Sequence, residues 1–228
     1  MKILSITDIH GEIEFSDTME TFMMKSDIIL LSGDITHFGG KTEAKKIIEN
    51  VKIYQSNILA VAGNCDKKSV DKYLEDENIN IHGRVIYKNG IYIAGIGFSE
   101  ETSWNKYPSQ FSRKYFQRIA KKISEAIPQN ADLILVSHTP PYNTNCDIIY
   151  DIDKKEIHAG NVIVREFIEK IQPLVCFCGH IHDAVGIDYI GKTLIINSGA
   201  AGKGNFAFLD LSQKPLKPLI IKPIPVRV

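Results

Sequence analysis

The chain has 228 residues, 44% of them hydrophobic, and its 27 basic and 27 acidic side chains give a formal net charge of zero. This length is enough to bury a core, whereas the balanced charge does not indicate a nucleic-acid binder, which usually carries a basic excess. No apolar run reaches the ~20 residues that cross a bilayer, and Asp8 and His10 interrupt any N-terminal signal region. The four irregularly spaced cysteines do not resemble a disulfide framework. We therefore expect a cytoplasmic protein without a membrane partner.

Short apolar runs rich in Ile, Leu and Val alternate with amphipathic segments along most of the chain. Runs of this length bounded by Gly, Pro, Asp or Asn predict buried strands, and the longer amphipathic segments predict helices. In chain order these are a strand at 2–7, a helix at 15–26, a strand at 27–32, a helix at 41–55, strands at 57–62 and 91–96, a helix at 111–127, a strand at 132–137, a helix at 161–172 and a strand at 174–178.

From residue 183 onward the helical pattern stops. Residues 184–199 predict two strands joined by a turn at Gly191-Lys192, and residues 205–211 continue the strand pattern. Buried strands alternating with amphipathic helices indicate an α/β protein of one large domain or two small ones, and we expect its second half to build a sheet that packs against the first. The Pro-rich run at 214–228 predicts an edge strand or a tail, and the aperiodic stretches at 97–109 and 140–158 predict functional or mobile loops.

Polar side chains collect just past the carboxyl ends of five predicted strands, the edge at which open α/β sheets bind ligands. A single Asp-X-His after a strand is more often a turn or a helix cap, but the set as a whole is specific. Nitrogen and oxygen donors suit Mn²⁺, Fe, Zn²⁺ or Ni²⁺, and two ions ~3.5–4 Å apart that share a carboxylate would use more donors than a single zinc. The candidate ligands are Asp8, His10, Asp34, Asn64, His138, His180 and His182.

The motifs that carry these donors are Asp8-X-His10, Gly33-Asp34, Gly63-Asn64-X-Asp66, His138 and Gly179-His180-X-His182. In this order they resemble the calcineurin-like metallophosphoesterases. The resemblance implies a single domain over residues 1–228, built as a four-layer α/β/β/α sandwich with two central mixed sheets flanked by helices. It also implies two divalent transition-metal ions, Mn²⁺ foremost, at the strand ends. Carried over by position, Asp8, His10 and His182 would hold the first ion, Asn64, His138 and His180 the second, and Asp34 would bridge both.

The resemblance also implies a mechanism, in which a metal-bridging hydroxide attacks phosphorus in line. The family usually has a His at the position of Cys65, implicated as the proton donor to the leaving oxygen, and a thiol is a poor substitute near pH 7. Members with Cys there are associated with phosphodiester hydrolysis, so we favour a phosphodiesterase over a phosphomonoesterase, a nucleotide pyrophosphohydrolase or a weakly active protein-binding scaffold. The predicted catalytic residues are Asp34, Asn64, Cys65 and Asp66, although Cys65 is equally interpretable as a small buried residue and Asp66 as one that orients a ligand or loop.

The predicted substrate contacts are His37, Asn64 and His158, and the expected partner is a small phosphoester. His158 precedes the helix at 161–172, whose first N–H groups can bind a phosphate oxygen; the alternative is that Asn161 caps that helix. His37 follows Asp34 by three residues and either lines the cleft or faces solvent. The oligomeric state is left open, a homo-oligomer included.

Overall fold

The structure, a computed structural model, describes residues 1–12, 14–102 and 106–222. Strands and helices alternate through the first half, as the apolar periodicity predicts. Its elements are β1 (Lys2–Ile6), α1 (Asp17–Lys25), β2 (Ile28–Ser32), α2 (Lys41–Tyr54), β3 (Ile58–Val61), α3 (Lys68–Asp76), β4 (Val85–Lys88), β5 (Ile91–Ile96), β6 (Ser99–Glu100), β7 (Gln110–Phe111) and α4 (Arg113–Ala126).

The second half of the chain is dominated by strands. One α-helix lies in its first part, and a short 3₁₀ turn at Ala201–Lys203 precedes the last two strands. The elements are β8 (Leu133–Ser137), β9 (Ile148–Tyr150), β10 (Glu156–His158), α5 (Val162–Ile171), β11 (Val175–Cys178), β12 (Gly186–Ile190), β13 (Thr193–Asn197), β14 (Phe206–Asp210) and β15 (Leu219–Ile221).

Two mixed sheets form the centre of the molecule. The first has five strands in the order β15-β14-β1-β2-β3, with β1, β2 and β3 parallel and β14 antiparallel to β1. The second has six strands in the order β12-β13-β11-β8-β5-β4, with four parallel strands between two antiparallel edge strands. Parallel neighbours bring their carboxyl ends to the same edge of each sheet, and this edge carries the candidate ligands.

Alternating side chains of the strands build the two sides of the core. In β2, Leu30 lies between the sheets with Val136 of β8, whereas Leu31 belongs to the cluster that includes Ile47 of α2. Helices α1 and α3 contact the first sheet, and α4 and α5 contact the second. The predicted four-layer α/β/β/α sandwich is therefore confirmed, and the all-apolar strands are explained by burial on both faces.

One prediction about the sheets is wrong. The strands after residue 183 do not all join the second sheet, because β14 and β15 return to the first and β14 pairs with β1 in the register Leu4↔Phe208. The aperiodic stretch at 140–158 contains the β9–β10 hairpin. The Pro-rich run contributes the edge strand β15, and its residues 223–228 lie outside the described part of the chain.

The cysteines and the helices agree with the remaining expectations from composition. All four cysteines are free and buried, and Cys176 and Cys178 pack in the core as predicted. No helix among the described residues combines the length and the apolar character needed to span a bilayer. The cytoplasmic location stays a prediction.

Candidate metal centre

The predicted donors come together where strands of the two sheets end. Strands β1, β2 and β3 are neighbours in the first sheet, and β8 and β11 are neighbours in the second. Each donor follows the end of its strand within a few residues, so the strand ends fix the positions of the donors. The donors brought together in this way are Asp8, His10, Asp34, Asn64, His138, His180 and His182.

Several donor residues adopt the left-handed backbone region, which is uncommon for residues other than glycine. The φ angles are +53° at Asp8, +51° at His10, +48° at Asp34 and +67° at His180. Backbone hydrogen bonds hold this geometry, since Asp8 N donates to Gly33 O and His10 N to Asp34 O, both at 3.0 Å. Such backbone strain costs about 1–3 kcal/mol per residue and clusters at functional sites.

Two glycines make room for the donors. At Gly33, where φ is +98°, a Cβ atom would collide with the ring of His138. At Gly179 a Cβ atom would collide with the side chains of Thr7 and Asp8. The glycine before Asp34 and the glycine before His180 therefore allow the ligand loops of the two sheets to approach each other closely.

The first donor group consists of Asp8, His10 and His182. His182 Nε2 lies 3.1 Å from Asp8 Oδ1 and 3.1 Å from His10 Nε2, and His10 Nε2 lies 3.8 Å from Asp8 Oδ1. The other carboxylate oxygen of Asp8 accepts hydrogen bonds from Thr7 Oγ1 at 2.7 Å and from the backbone N–H of His180 at 2.9 Å. Separations of this size suit ligand atoms that share one ion at bond lengths of about 2.0–2.2 Å.

The second donor group consists of Asn64, His138 and His180 together with Asp34. His138 Nδ1 lies 2.9 Å from the carbonyl oxygen of Ser32, which can only accept, so this nitrogen carries the proton. The other ring nitrogen, Nε2, faces the site, where Asn64 Oδ1 lies 2.8 Å away. A backbone carbonyl on the far nitrogen is the usual support of a metal-ligating imidazole.

Asp34 lies between the two groups. Its Oδ1 is 3.5 Å from His138 Nε2, and its Oδ2 is 3.9 Å from His10 Nε2. The backbone N–H of Cys65 donates to Oδ1 at 2.8 Å and fixes the orientation of the carboxylate. Asp34 can thus serve both groups at once.

The carboxylates of the site lie close together and are removed from water. Burial raises the pKa of Asp34 to about 7, and the charges of Asp8 and Asp66 add to this effect, although His138 opposes it. Burial also acts to raise the pKa of Asp8, but the hydrogen bond from His182 and the charge of His138 outweigh it and hold this pKa well below its usual value. Buried carboxylates in such proximity fit a cation, which would compensate their charge.

The imidazoles of the site are suited to the same role. Burial lowers the pKa of His10 to about 4 and that of His180 to about 3. Both rings are therefore neutral at pH 7, and only a neutral imidazole can offer a lone pair to a metal. The donors present thus fit divalent ions in number and spacing, and His10 and His180 fit them in protonation as well.

Comparison with known families agrees with this arrangement. The family model described as calcineurin-like phosphoesterase matches residues 1–184, which hold every donor of both groups. The chain belongs to the calcineurin-like phosphoesterase family. The four strands after residue 184 lie beyond the match and complete the two sheets of the family fold.

Individual relatives of the calcineurin-like phosphoesterase family cover most of the chain. An uncharacterized protein of Methanocaldococcus jannaschii is 37% identical over 199 residues, 86% of this chain and 87% of that protein. The probable glycerophosphodiester phosphodiesterase GpdQ of Arcobacter nitrofigilis is 25% identical over 210 residues, 90% of this chain and 73% of that protein. The crystal structure of TT1561 of Thermus thermophilus superposes with a TM-score of 0.72 at 17% identity, covering 96% of this chain and 97% of that one, and shows the same fold.

Cys65, at the position where the resemblance leads us to expect a histidine, is buried beside the donors. Its Sγ belongs to a group with His10 and Asp34 whose ligand atoms lie within 4.8 Å of one another, and Asn64 Nδ2 donates to it at 3.5 Å. Burial raises the pKa of the thiol, and the negative charge of Asp34 adds to the effect. A thiol in this state is a weaker acid than a free cysteine, which agrees with the expectation that it replaces histidine poorly as a proton donor.

Asp66 does not reach into the site. Its buried carboxylate accepts four hydrogen bonds, from the N–H groups of Ile35, Thr36 and Gly63 and from Thr36 Oγ1. These bonds tie the loop that carries Asp34 to the loop that carries Asn64. Of the two roles predicted for Asp66, orienting a loop is the one that these contacts support, and the catalytic role stays a prediction.

The two predicted histidines outside the donor groups differ in their surroundings. His37 is exposed, and its ring lies edge-to-face with that of His10 at 5.5 Å between centroids. His158 Nδ1 lies 2.7 Å from Oδ1 of the buried Asp147, and its side chain is 30% exposed. Asn161 Oδ1 accepts from the N–H groups of Ile163 and Val164, so Asn161 caps α5 and occupies these two N–H groups.

Sequence reasoning missed the residues that support the donors. Thr7 holds Asp8, the Ser32 carbonyl sets the tautomer of His138, and Ser109 Oγ donates to the carbonyl of Asp66 at 2.5 Å. Adjacency to Asp8 was the one signal for Thr7. A backbone carbonyl carries no signal in the sequence, and Ser109 follows a stretch without periodicity.

Proposed function

We propose that this protein is a dinuclear metal-dependent phosphoesterase that hydrolyses phosphodiesters. Asp8, His10 and His182 would hold one ion, Asn64, His138 and His180 the other, and Asp34 would bridge them. The observation that carries the proposal is that two donor groups, each spaced to suit one ion, meet at the single carboxylate of Asp34. When bound, two divalent ions, Mn²⁺ foremost, would activate water near neutral pH and neutralise charge on the phosphoryl oxygens.

The preference for a diester is supported by Cys65. Hydrolysis of an unactivated monoester depends on protonation of the leaving oxygen, and the buried thiol, whose pKa is raised by burial, is a poor proton donor. The name of the Arcobacter relative, a probable glycerophosphodiester phosphodiesterase, points to the same reaction class. These two observations favour a phosphodiesterase over a phosphomonoesterase or a nucleotide pyrophosphohydrolase.

Substrate would enter beside His37, the exposed ring next to His10. Asn64 would also face the substrate, because its side chain contacts both Cys65 and the donor His138. His158 would be a third contact with the substrate. Its Nδ1 is bonded to Asp147, so its Nε2 would donate to or accept from a bound phosphoester.

We further infer that residues 1–228 form one domain. Strands β12 and β13 belong to the second sheet and β14 and β15 to the first, so the part of the chain beyond the family match is built into both sheets. A separate unit would instead bury its own core.

An assay with metal-reconstituted protein tests the function. Chelated protein reloaded with Mn²⁺ is expected to hydrolyse bis-p-nitrophenyl phosphate faster than p-nitrophenyl phosphate or a nucleoside diphosphate, and Asp34→Ala to abolish this activity. The matched control is Asp153→Ala, which removes an exposed carboxylate from the β9–β10 turn. Full activity without metal would contradict the proposal, and two bound ions without turnover of any phosphoester would point to a binding scaffold instead.

A further inference from the structure

An exposed aromatic side chain stands close to the candidate metal centre. Phe38 follows Asp34 by four residues, and 41% of its surface is exposed. Single exposed apolar residues are common, but Phe38 also adopts φ = +58°, which is an outlier for a bulky side chain. A conformation of this kind persists only where the surrounding structure imposes it.

The loop that carries Phe38 is held in place by its contacts with Glu43. The backbone N–H of His37 donates to Glu43 Oε1 at 3.1 Å, and a Cβ atom at Gly39 would collide with the same carboxylate. Glu43 lies in the first turn of α2, so the start of this helix fixes the loop. The exposed ring is therefore presented by an ordered turn.

A second aromatic ring reaches Phe38 from another part of the chain. The ring of Tyr107 is parallel to that of Phe38, with 6.1 Å between centroids and 7° between planes. Two residues further on, Ser109 donates its N–H to Asn64 O at 3.1 Å and its hydroxyl to Asp66 O. Tyr107 is thereby anchored to the ligand loop of Asn64, as Phe38 is to the ligand loop of Asp34.

His37 connects these rings to the metal centre. Its ring lies edge-to-face with Phe38 at 4.8 Å and with His10 at 5.5 Å. The rings of His37, Phe38 and Tyr107, here called the aromatic wall, thus extend outward from a candidate ligand. A phosphoester bound at the metal centre would place its organic group beside them.

We propose that the aromatic wall receives the base of a nucleotide-type phosphoester and so determines which substrates the enzyme prefers. Aromatic side chains bind every base through the π face, without reading its identity. A glycerol phosphoester has no ring to stack on the aromatic wall, so the wall would add nothing to its affinity. This inference rests on the proposed function, because the phosphate must be held at the metal centre for the base to reach the wall.

Binding of two matched ligands tests the inference. Adenosine 5′-monophosphate and glycerol 3-phosphate carry the same phosphate group, and their affinities for Mn²⁺-loaded protein are measured by calorimetry. The wild type is expected to bind the nucleotide about ten-fold more tightly, the size expected for stacking one base. Phe38→Leu and Tyr107→Leu should each reduce this preference several-fold with the affinity for glycerol 3-phosphate unchanged, and Phe38→Trp should keep it.

The control variant is Tyr87→Leu, which removes an exposed aromatic ring from β4, paired with the beginning of β5 and away from the strand ends that carry the donors. It should leave both affinities unchanged. Equal affinity of the wild type for the two ligands, or equal weakening of both by Phe38→Leu, would overturn the inference. Hydrolysis of bis-p-nitrophenyl phosphate separates the failures: if it persists, the proposed function stands and the aromatic wall alone is refuted, whereas its absence together with no binding of either ligand refutes both.

Discussion

Cys65 contacts Asp34 through its backbone, whose N–H donates to Asp34 Oδ1 at 2.8 Å. Any residue at position 65 except proline can make this bond, so it does not require a cysteine. The side chain is 5% exposed and fills a small space between the ligand loops. The backbone bond to Asp34, the proposed bridging carboxylate, and the chemistry of the side chain can therefore be tested separately.

Cys65→Ala is expected to keep diesterase activity within about three-fold of the wild type, because the backbone bond to Asp34 survives. Cys65→His should raise phosphomonoesterase activity relative to diesterase activity by at least ten-fold, since general acid catalysis is worth ~10²–10⁴ in rate. The measurement is kcat/KM with each variant for glycerol 3-phosphate, whose alkoxide leaving group needs a proton, and for bis-p-nitrophenyl phosphate, whose nitrophenolate leaving group does not. A large loss in Cys65→Ala would assign a direct role to the thiol.

Asp66→Asn is expected to destabilise the protein and to weaken metal binding. The amide places an N–H group among the N–H groups of Ile35, Thr36 and Gly63, so at least one buried donor loses its partner, at about 1–3 kcal/mol. Denaturant unfolding of the chelated protein measures the first effect, and titration with Mn²⁺ measures the second. Thr36→Val, which removes one of the four bonds, should show a smaller loss; unchanged stability in Asp66→Asn would exclude the positioning role.

His182→Ala and His138→Ala are each expected to reduce the number of bound Mn²⁺ ions from two per chain to one. The two side chains belong to different donor groups, so either variant leaves the other group complete. Elemental analysis after dialysis gives the stoichiometry. His82→Phe removes a histidine outside both groups and should still bind two ions, and two ions in His182→Ala would show that this side chain is not a ligand.

His82 is expected to make the protein less stable as the pH falls below about 6.5. Its Nδ1 accepts from the N–H of Gly97, its Nε2 contacts the hydroxyl of Tyr115, and burial, with the charges of Lys122 and Arg84, lowers its pKa to about 4. Below pH 6.5, the ordinary pKa of histidine, His82 is protonated in the unfolded chain. In the folded protein it stays neutral until about pH 4. Stability contributed by the neutral ring is complete above pH 6.5 and falls by roughly 3 kcal/mol between these values.

The measurement for His82 is the free energy of unfolding of chelated protein at pH 7.5 and pH 4.5. His82→Phe keeps an aromatic ring against Phe98 and Tyr115 but cannot titrate, so it should lose less stability over this range than the wild type. Parallel pH profiles for the two proteins would contradict the prediction.

Asn161→Ala is expected to cost about 1 kcal/mol of stability, the usual value for a lost N-cap, without a change in KM for a phosphodiester. Its side chain accepts from two N–H groups of α5 and is buried, so substrate binding is not expected to depend on it. Thermal unfolding and steady-state kinetics of the same variant provide the two readouts. A raised KM with unchanged stability would instead favour the alternative that this helix start binds phosphate.

The sequence predicted the strand ends well because Gly, Pro, Asp and Asn mark the limits of each apolar run. It predicted less about strand partners: the apolar pattern of β14 indicates burial but not that its neighbour is β1, some 200 positions away. Helix α3 has a weak helical pattern, because its nine residues bury Val70, Tyr73 and Leu74 among charged side chains.

The donors of the candidate site were predictable because they are side chains in recognisable motifs. Their support was not, since it comes from main-chain groups such as Ser32 O and Cys65 N, for which any residue type would serve. The contact between Phe38 and Tyr107 joins two loops without periodic patterns, and such a meeting depends on the tertiary fold.

The pairing of β1 with β14 has a consequence for biosynthesis. Until residues 206–210 leave the ribosome, one edge of β1 in the nascent chain has no strand to accept its hydrogen bonds. The bond from Ala201 N to Thr7 O beside Asp8 likewise forms only after residue 201 has emerged. The first sheet can therefore gain its fourth strand only after residue 210 has been translated, and during elongation this exposed edge is where a chaperone would protect the polypeptide from aggregation.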